Sequence, residues 1–213
     1  MTIKPSQRKA PCIRPPEPEW PGDMICADIV SIQGKHYSVM MDRFSSWIDL
    51  TRVTKGAETI YQQLNQWYSN YGIPRSFASD GGPEYTSTRM KDLHRRMGTI
   101  QKITSVTHPH ANRRAEGAVK AVRRMLTDCM GPEGNLTGDK FTQAIMEHGN
   151  TPLRELNKSP AQLMLGRRLR YILPLALSML TQDTANIITA TERSDLLEKS
   201  YASTEKRLNE GQG

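Results

Sequence analysis

An aspartate inside an apolar run sets the tightest limit on what this chain can fold into. Met24 to Ser31 reads Met-Ile-Cys-Ala-Asp-Ile-Val-Ser. Nearly continuous apolar sequence of this length suits a central strand covered on both faces. Asp28 sits within it, and an ionised carboxylate there is costly unless it is ion-paired or binds a metal. The strand alone leaves both readings open.

The flanking sequence supplies further layers. Gln33-Gly34-Lys35 makes a turn, His36 to Met41 returns, and Trp47 to Val53 completes an antiparallel meander. Ala57 to Tyr71 carries Ile60, Leu64 and Trp67 at helical spacing, and Gly72-Ile73-Pro74 ends that helix. Ser76 to Ser79 predicts a short strand leading into the loop Asp80-Gly81-Gly82-Pro83. Ser87 to Met97 reads as helical and Ile100 to Thr104 as extended. Residues 112–130 form an amphipathic helix, with Ala115, Val119, Val122, Leu126 and Cys129 on one face. Arg113, Arg114, Lys120, Arg123 and Arg124 lie largely elsewhere around it. Another helix is expected from about Asp139 to His148, and Ser159-Pro160 opens a short one with Ser as its cap. A meander followed by alternating helices and strands predicts an α/β layer fold around one mixed sheet.

Around that core, residues 1–22 hold six of the 13 prolines and read as an extended leader. The core is expected over 23–175, with a polar linker helix or tail over 176–213. Lys and Arg total 29 against 22 acids, a net charge of +7 that suits a polyanionic partner. Cys12, Cys26 and Cys129 include no Cys-x-x-Cys pair, which argues against a disulfide framework or zinc finger and fits a reducing compartment. The best apolar stretch, Tyr171 to Leu180, is broken by Pro174 and is too short for a membrane span. The N-terminus lacks a signal peptide's apolar centre. A soluble intracellular protein is expected.

Two more carboxylates stand at informative places. Asp80 ends a strand and enters a Gly-Gly-Pro turn, where it is either a turn aspartate or a ligand. Glu116 lies near the start of the basic helix, where it favours the helix dipole, pairs with Lys120, or binds a metal. Two-metal phosphoryl transfer requires several carboxylates converging from different elements. A strand interior, a strand end and a facing helix can supply them.

The sequence around these residues resembles the D,D(35)E core of retroviral-type integrases, especially those of gypsy-like LTR retrotransposons. The matching words begin with Asp28 in its strand, Met41-Asp42-Arg43-Phe44-Ser45-Ser46-Trp47 and Tyr71-Gly72-Ile73-Pro74. Ser79-Asp80-Gly81-Gly82-Pro83-Glu84-Tyr85 carries the second carboxylate, and His108-Pro109-His110-Ala111-Asn112-Arg113-Arg114-Ala115-Glu116 the third. Asn150-Thr151-Pro152, Ser159-Pro160-Ala161-Gln162 and Gly166-Arg167-Arg168-Leu169-Arg170 follow in order. The resemblance implies a ribonuclease H-like fold, a five-stranded mixed sheet flanked by helices. It makes Asp28, Asp80 and Glu116 the catalytic ligands of Mg²⁺ or Mn²⁺, two ions in all, and leaves Asp42 structural.

The implied reaction is DNA integration: cleavage near an element's 3′ end, then attack of the freed 3′-hydroxyl on a target strand. Lys120 and Arg123 match positions that contact element DNA in this family, and Asn112 and Arg113 join them as expected DNA contacts. The implied partners are element ends, target DNA and further copies of the chain, with action in the nucleus. The family's zinc-binding module and C-terminal β-barrel are not recognisable here, so no zinc is expected. The family usually has Gln at position 110 and Gly at position 113, where this chain has His110 and Arg113. If position 113 requires a positive φ, Arg113 brings strain next to Glu116. A co-opted DNA-binding or assembly module is the alternative reading.

Overall fold

A computed structural model of the chain describes residues 16–103, 113–131, 138–154 and 156–171, with a few single positions between 192 and 199. One sheet organises them. Its strands are β1 (Met24–Ile32), β2 (Lys35–Asp42), β3 (Ile48–Val53), β4 (Ser76–Ser79) and β5 (Ile100–Ile103), in the spatial order β3-β2-β1-β4-β5. β1, β2 and β3 are antiparallel neighbours, whereas β4 pairs parallel with β1 and β5 parallel with β4. Parallel neighbours need crossover connections, usually helical. α1 (Ala57–Tyr71) links β3 to β4, and α2 (Pro83–Thr86) and α3 (Thr88–Met97) link β4 to β5. Beyond the sheet come α4 (Arg113–Cys129), α5 (Gly138–Asn150) and α6 (Pro160–Leu165).

The alternating residues of β1 explain its unbroken apolar character. Ile25, Ala27 and Ile29 face a cluster that holds Met40, Ile60, Leu64, Trp67, Phe77, Tyr85, Met90 and Leu93, contributed largely by α1 and α3. Cys26 and Val30 face the other way, into a cluster with Val39, Met41, Val122 and Leu126, the last two from α4. Both faces of the central strand are therefore covered, as its composition required. Leu64 and Ile60 are fully buried, and truncating such a side chain to alanine costs about 2–5 kcal/mol.

Local signals set several boundaries. Ser159 caps α6 in a full capping box with Gln162, Pro160 occupies the first turn, and Gly166 closes the helix at φ 72°. Ser87 caps α3 rather than beginning it, accepting a hydrogen bond from the Met90 amide. The one-turn helix α2 was not expected. Periodicity cannot register four residues, yet Tyr85 within it is fully buried.

Residues just before β1 are tied to the core. Arg75 donates to both Asp23 carboxylate oxygens at 2.9 and 2.6 Å and also pairs with Glu19 at 3.0 Å. The Gly22 amide donates to Asp42 Oδ1 at 3.0 Å. No described helix is long and apolar enough to cross a membrane. The expected tail helix over 176–213 falls almost wholly outside the described residues, as do Thr104, His108, His110 and Asn112.

Candidate active site

Sheet register points two of the three expected carboxylates towards one another. Met24 pairs with Ser76 and Cys26 with Ala78 across β1 and β4. The same offset carries Asp28 to Asp80, the first residue beyond β4. Adjacent strands lie about 4.8 Å apart, and residues in register point to the same face. For Asp28 that face is the one shared with Cys26 and Val30, the side covered by α4. Ala78, two residues before Asp80, packs on the same side. Asp28 is half-buried and Asp80 exposed, so the pair spans the rim of the core.

Backbone contacts fix both side chains. Asp28 Oδ1 accepts the Ile29 amide at 2.8 Å. Asp80 Oδ1 accepts the Gly82 amide at 3.1 Å, a side chain folded over its own turn. A β-carbon at Gly82 would stand 3.0 Å from Asp80 Oδ1 and 3.2 Å from Glu84 Oε2, so a side chain at the second glycine of the Asp-Gly-Gly-Pro turn would push these carboxylates by a few tenths of an ångström.

The third carboxylate is carried by the covering helix. Val122 and Leu126 of α4 are fully buried against the Asp28 face. Glu116 belongs to the same helix, six residues and so about 9 Å before Val122. The Glu116 side chain lies outside the described residues. Among described residues no three His, Cys, Asp or Glu side chains form a metal-holding group. The described part of the candidate centre is Asp28 with Asp80.

Neighbouring groups register the charge of this pair. Burial pushes the Tyr85 hydroxyl far up, against the adjacent Ser38 hydroxyl, and the charges of Asp28, Asp80 and Glu84 push it further. Tyr85 and Ser38 hydroxyls are both buried without a well-formed hydrogen bond. Cys26, two residues before Asp28, is driven up to about 12 by burial, with Arg43 opposing and Asp42 and Asp28 adding to the rise. Cys26 therefore stays a thiol at neutral pH, unsuited to nucleophilic work.

Asp42 stands apart from the pair. It is fully buried and accepts hydrogen bonds from the Gly22 amide at 3.0 Å, the Ser45 amide at 2.7 Å and the Ser45 hydroxyl at 2.6 Å. Burial pushes its carboxyl up against those donors. Its register partner in β1 is Ile25, on the sheet face opposite Asp28. It locks the β2–β3 turn.

The expected DNA contacts are described in part. Lys120 and Arg123 are exposed, four and seven residues after Glu116 and on its side of α4. Arg124 beside them pairs instead with Asp128 at 3.7 Å. Arg113 is the first residue of α4, and helical backbone accepts an L side chain without strain. The expected cost of a left-handed backbone there does not arise. Two features escaped the sequence: the Asp23–Arg75 pairing across 52 positions and a side-chain clamp by Asn150. Neither has a local pattern that could reveal it.

Comparison with known proteins places this geometry. Residues 18–109 match the integrase core domain family. An uncharacterized protein of Caenorhabditis elegans is 29% identical over 75% of this chain. The Pol polyprotein of a feline endogenous virus and the Gag-Pol polyprotein of baboon endogenous virus are each 24% identical over 62% of it. The matches span only 13%, 13% and 8% of those proteins, so the chain corresponds to a small part of each. Among solved structures, the catalytic core domain of BIV integrase superposes with a TM-score of 0.56 at 16% identity, covering 68% of this chain and 94% of that one. A chain of the simian T-cell lymphotropic virus intasome gives 0.61 at 16% identity, covering 80% and 64%. The HTLV-2 integrase catalytic core domain in complex with magnesium gives 0.54 at 16% identity, covering 70% and 99%. Residues 18–109 are thus similar to the integrase core domain family, and the five-stranded mixed sheet with its flanking helices shares the ribonuclease H-like fold of the retroviral integrase catalytic cores.

Proposed function

We propose that the chain is the catalytic core of a DNA integrase, a polynucleotidyl transferase that cleaves near an element's 3′ end and joins the freed end to target DNA. The observation that supports this reading is the β1–β4 register, whose offset, extended two residues beyond Cys26 and Ala78, sets Asp80 opposite Asp28 on the face covered by α4. Carboxylate oxygens suit a hard divalent cation such as Mg²⁺ or Mn²⁺. Glu116 would be the third ligand, and the set would hold two such ions. When bound, such ions lower the nucleophile's pKa and stabilise the leaving oxygen.

The chain's own residues supply placement. Asp28 is fixed by a central strand and Asp80 by its turn, so the ligands are held before substrate arrives. Lys120 and Arg123, with Asn112 and Arg113, hold phosphates of the DNA backbone, which sets register without reading sequence. A water or 3′-hydroxyl oxygen then bonds to phosphorus as the opposite phosphorus–oxygen bond breaks. No covalent enzyme intermediate is needed. The core extends over 23–175, preceded by the leader and followed by the polar linker, and acts in the nucleus as a homo-oligomer on element and target DNA.

The test is a strand-transfer reversal assay on short branched DNA with Mn²⁺. Joined product is expected from the chain and none from Asp80→Asn. DNA binding without product in Mn²⁺ would overturn the catalytic reading and leave a DNA-binding or assembly module.

A further inference from the structure

The Gly-Arg-Arg-Leu-Arg segment has no part in the carboxylate site, yet the fold holds it firmly. Asn150, at the end of α5, is buried, and its amide grips the backbone of Leu169 from both sides. Its Nδ2 donates to the Leu169 carbonyl at 2.8 Å, and its Oδ1 accepts the Leu169 amide at 2.7 Å. The Leu169 side chain fills the space beside Gly149 and Trp47. A β-carbon at Gly149 would stand 3.2 Å from Leu169 Cδ1 and 3.4 Å from the Trp47 ring. Around this anchor Arg167 and Arg170 are exposed and Arg168 half-buried. Among the described residues none of the three has an ion-pair partner.

Three like charges within four positions repel one another, and pinning them to the core forfeits the freedom to spread apart. An anchor alone would explain Leu169 and Asn150 but not the arginines around it. A cationic strip on an anchored backbone is complementary to a polyanion, and guanidinium groups pair with phosphate oxygens in a fixed fork geometry. We propose that Arg167, Arg168 and Arg170 form a second phosphate-contacting surface for nucleic acid, with Asn150 as its positioning residue.

Its place in the fold separates it from the carboxylates. Trp47 precedes β3 at the β2–β3 turn, which lies at the end of the sheet where β1 begins, since Ile25 pairs with Asp42. Asp80 follows β4, and the β1–β4 offset sets it level with Asp28, midway along β1. The anchor of the strip therefore lies near the start of β1, three residues and roughly 10 Å along the strand from Asp28 at its middle, and one nucleic acid can be held at the strip as well as at the reacting phosphate. This inference rests on the reading of the chain as a DNA-handling core.

The test is binding of the full 213-residue chain to a labelled DNA duplex over a range of salt, without divalent ions. Each phosphate contact contributes roughly 0.9 to the slope of log K against log salt. Reversal of both exposed arginines (Arg167→Glu with Arg170→Glu) is expected to lower affinity at least tenfold and flatten the slope by about two. Asn150→Ala keeps every charge, so it should weaken binding severalfold while leaving the slope near that of the parent. Unchanged affinity and slope in the double arginine variant overturns the strip, even if Asn150→Ala fails to fold. Lys120→Glu with Arg123→Glu serves as reference. Loss of binding there, with none at the strip, overturns this inference while sparing the proposed function.

Discussion

Gly82 shows how much of a site can depend on an absent side chain. Its φ of −58° is open to any residue, so a side chain there would be felt only through its contacts. Adding a methyl group would press within 3.0 Å of the Asp80 carboxylate oxygen. Gly82→Ala is therefore expected to displace Asp80 by a few tenths of an ångström and to slow metal-dependent strand transfer by about ten- to a hundredfold. Its Tm without metal should stay close to the parent value, because the turn is exposed. Direct removal of the ligands gives a second reading of the same pair. At a hundredfold excess over Kd, ligand linkage contributes about 2.7 kcal/mol, or roughly 5–11 °C for a domain of this size. Mg²⁺ or Mn²⁺ should raise Tm on that scale in the parent, and Asp28→Asn with Asp80→Asn should erase the rise. A double variant whose melting still responds fully to metal would show that these carboxylates are not the ligands.

At the scale of elements, the sequence was legible wherever a period or a stop signal ran long enough. Ala57 to Tyr71 and Ser76 to Ser79 stand at the expected boundaries, because a full apolar stripe or a Gly-Ile-Pro break defines them. Asp28 was conspicuous because a charge in a buried strand violates a simple rule. Asp80 was not, since register between strands 52 positions apart leaves no local trace. The same reason hid the Asp23–Arg75 pair and the Asn150 clamp. α4 combines the two cases, with an apolar stripe that predicted its packing and basic residues whose purpose the stripe does not reveal. Lys120→Glu with Arg123→Glu tests that purpose. DNA affinity should fall across sequences, and the salt slope should flatten by about two. The metal-induced rise in Tm should persist, since neither residue is a proposed ligand. Unaltered affinity and slope would make the exposed side of α4 an ordinary solvated surface.

Across the whole molecule, the two faces of the sheet divide the work. The α4 face carries the carboxylate pair, whereas the α1 and α3 face is an apolar layer containing a histidine that pays for its position in stability. His94 of α3 is 3% exposed, stacks at 5.0 Å from the Phe77 ring and has no hydrogen bond at either ring nitrogen. Burial drives its pKa from the ordinary 6.5 down to about 4. The folded chain therefore refuses a proton that the unfolded chain accepts between those values. Above pH 6.5 the imidazole is neutral in both states and stability is unaffected. As pH falls from 6.5 towards 4, stability is lost, because the unfolded state binds more protons. At about 1.36 kcal/mol per unit the deficit reaches on the order of 3 kcal/mol by pH 4, and about 2 kcal/mol by pH 5. His148, also lowered by burial although the Ser46 backbone opposes the shift, adds in the same direction. Urea unfolding at pH 7.5 and about pH 5 should show this loss in the parent chain. His94→Leu should recover roughly 2 kcal/mol of it, by the difference between the two chains, while carboxylate contributions common to both cancel. Equal acid sensitivity in the two chains would mean that His94 takes up its proton in the native state, and that the layer beneath α3 admits water.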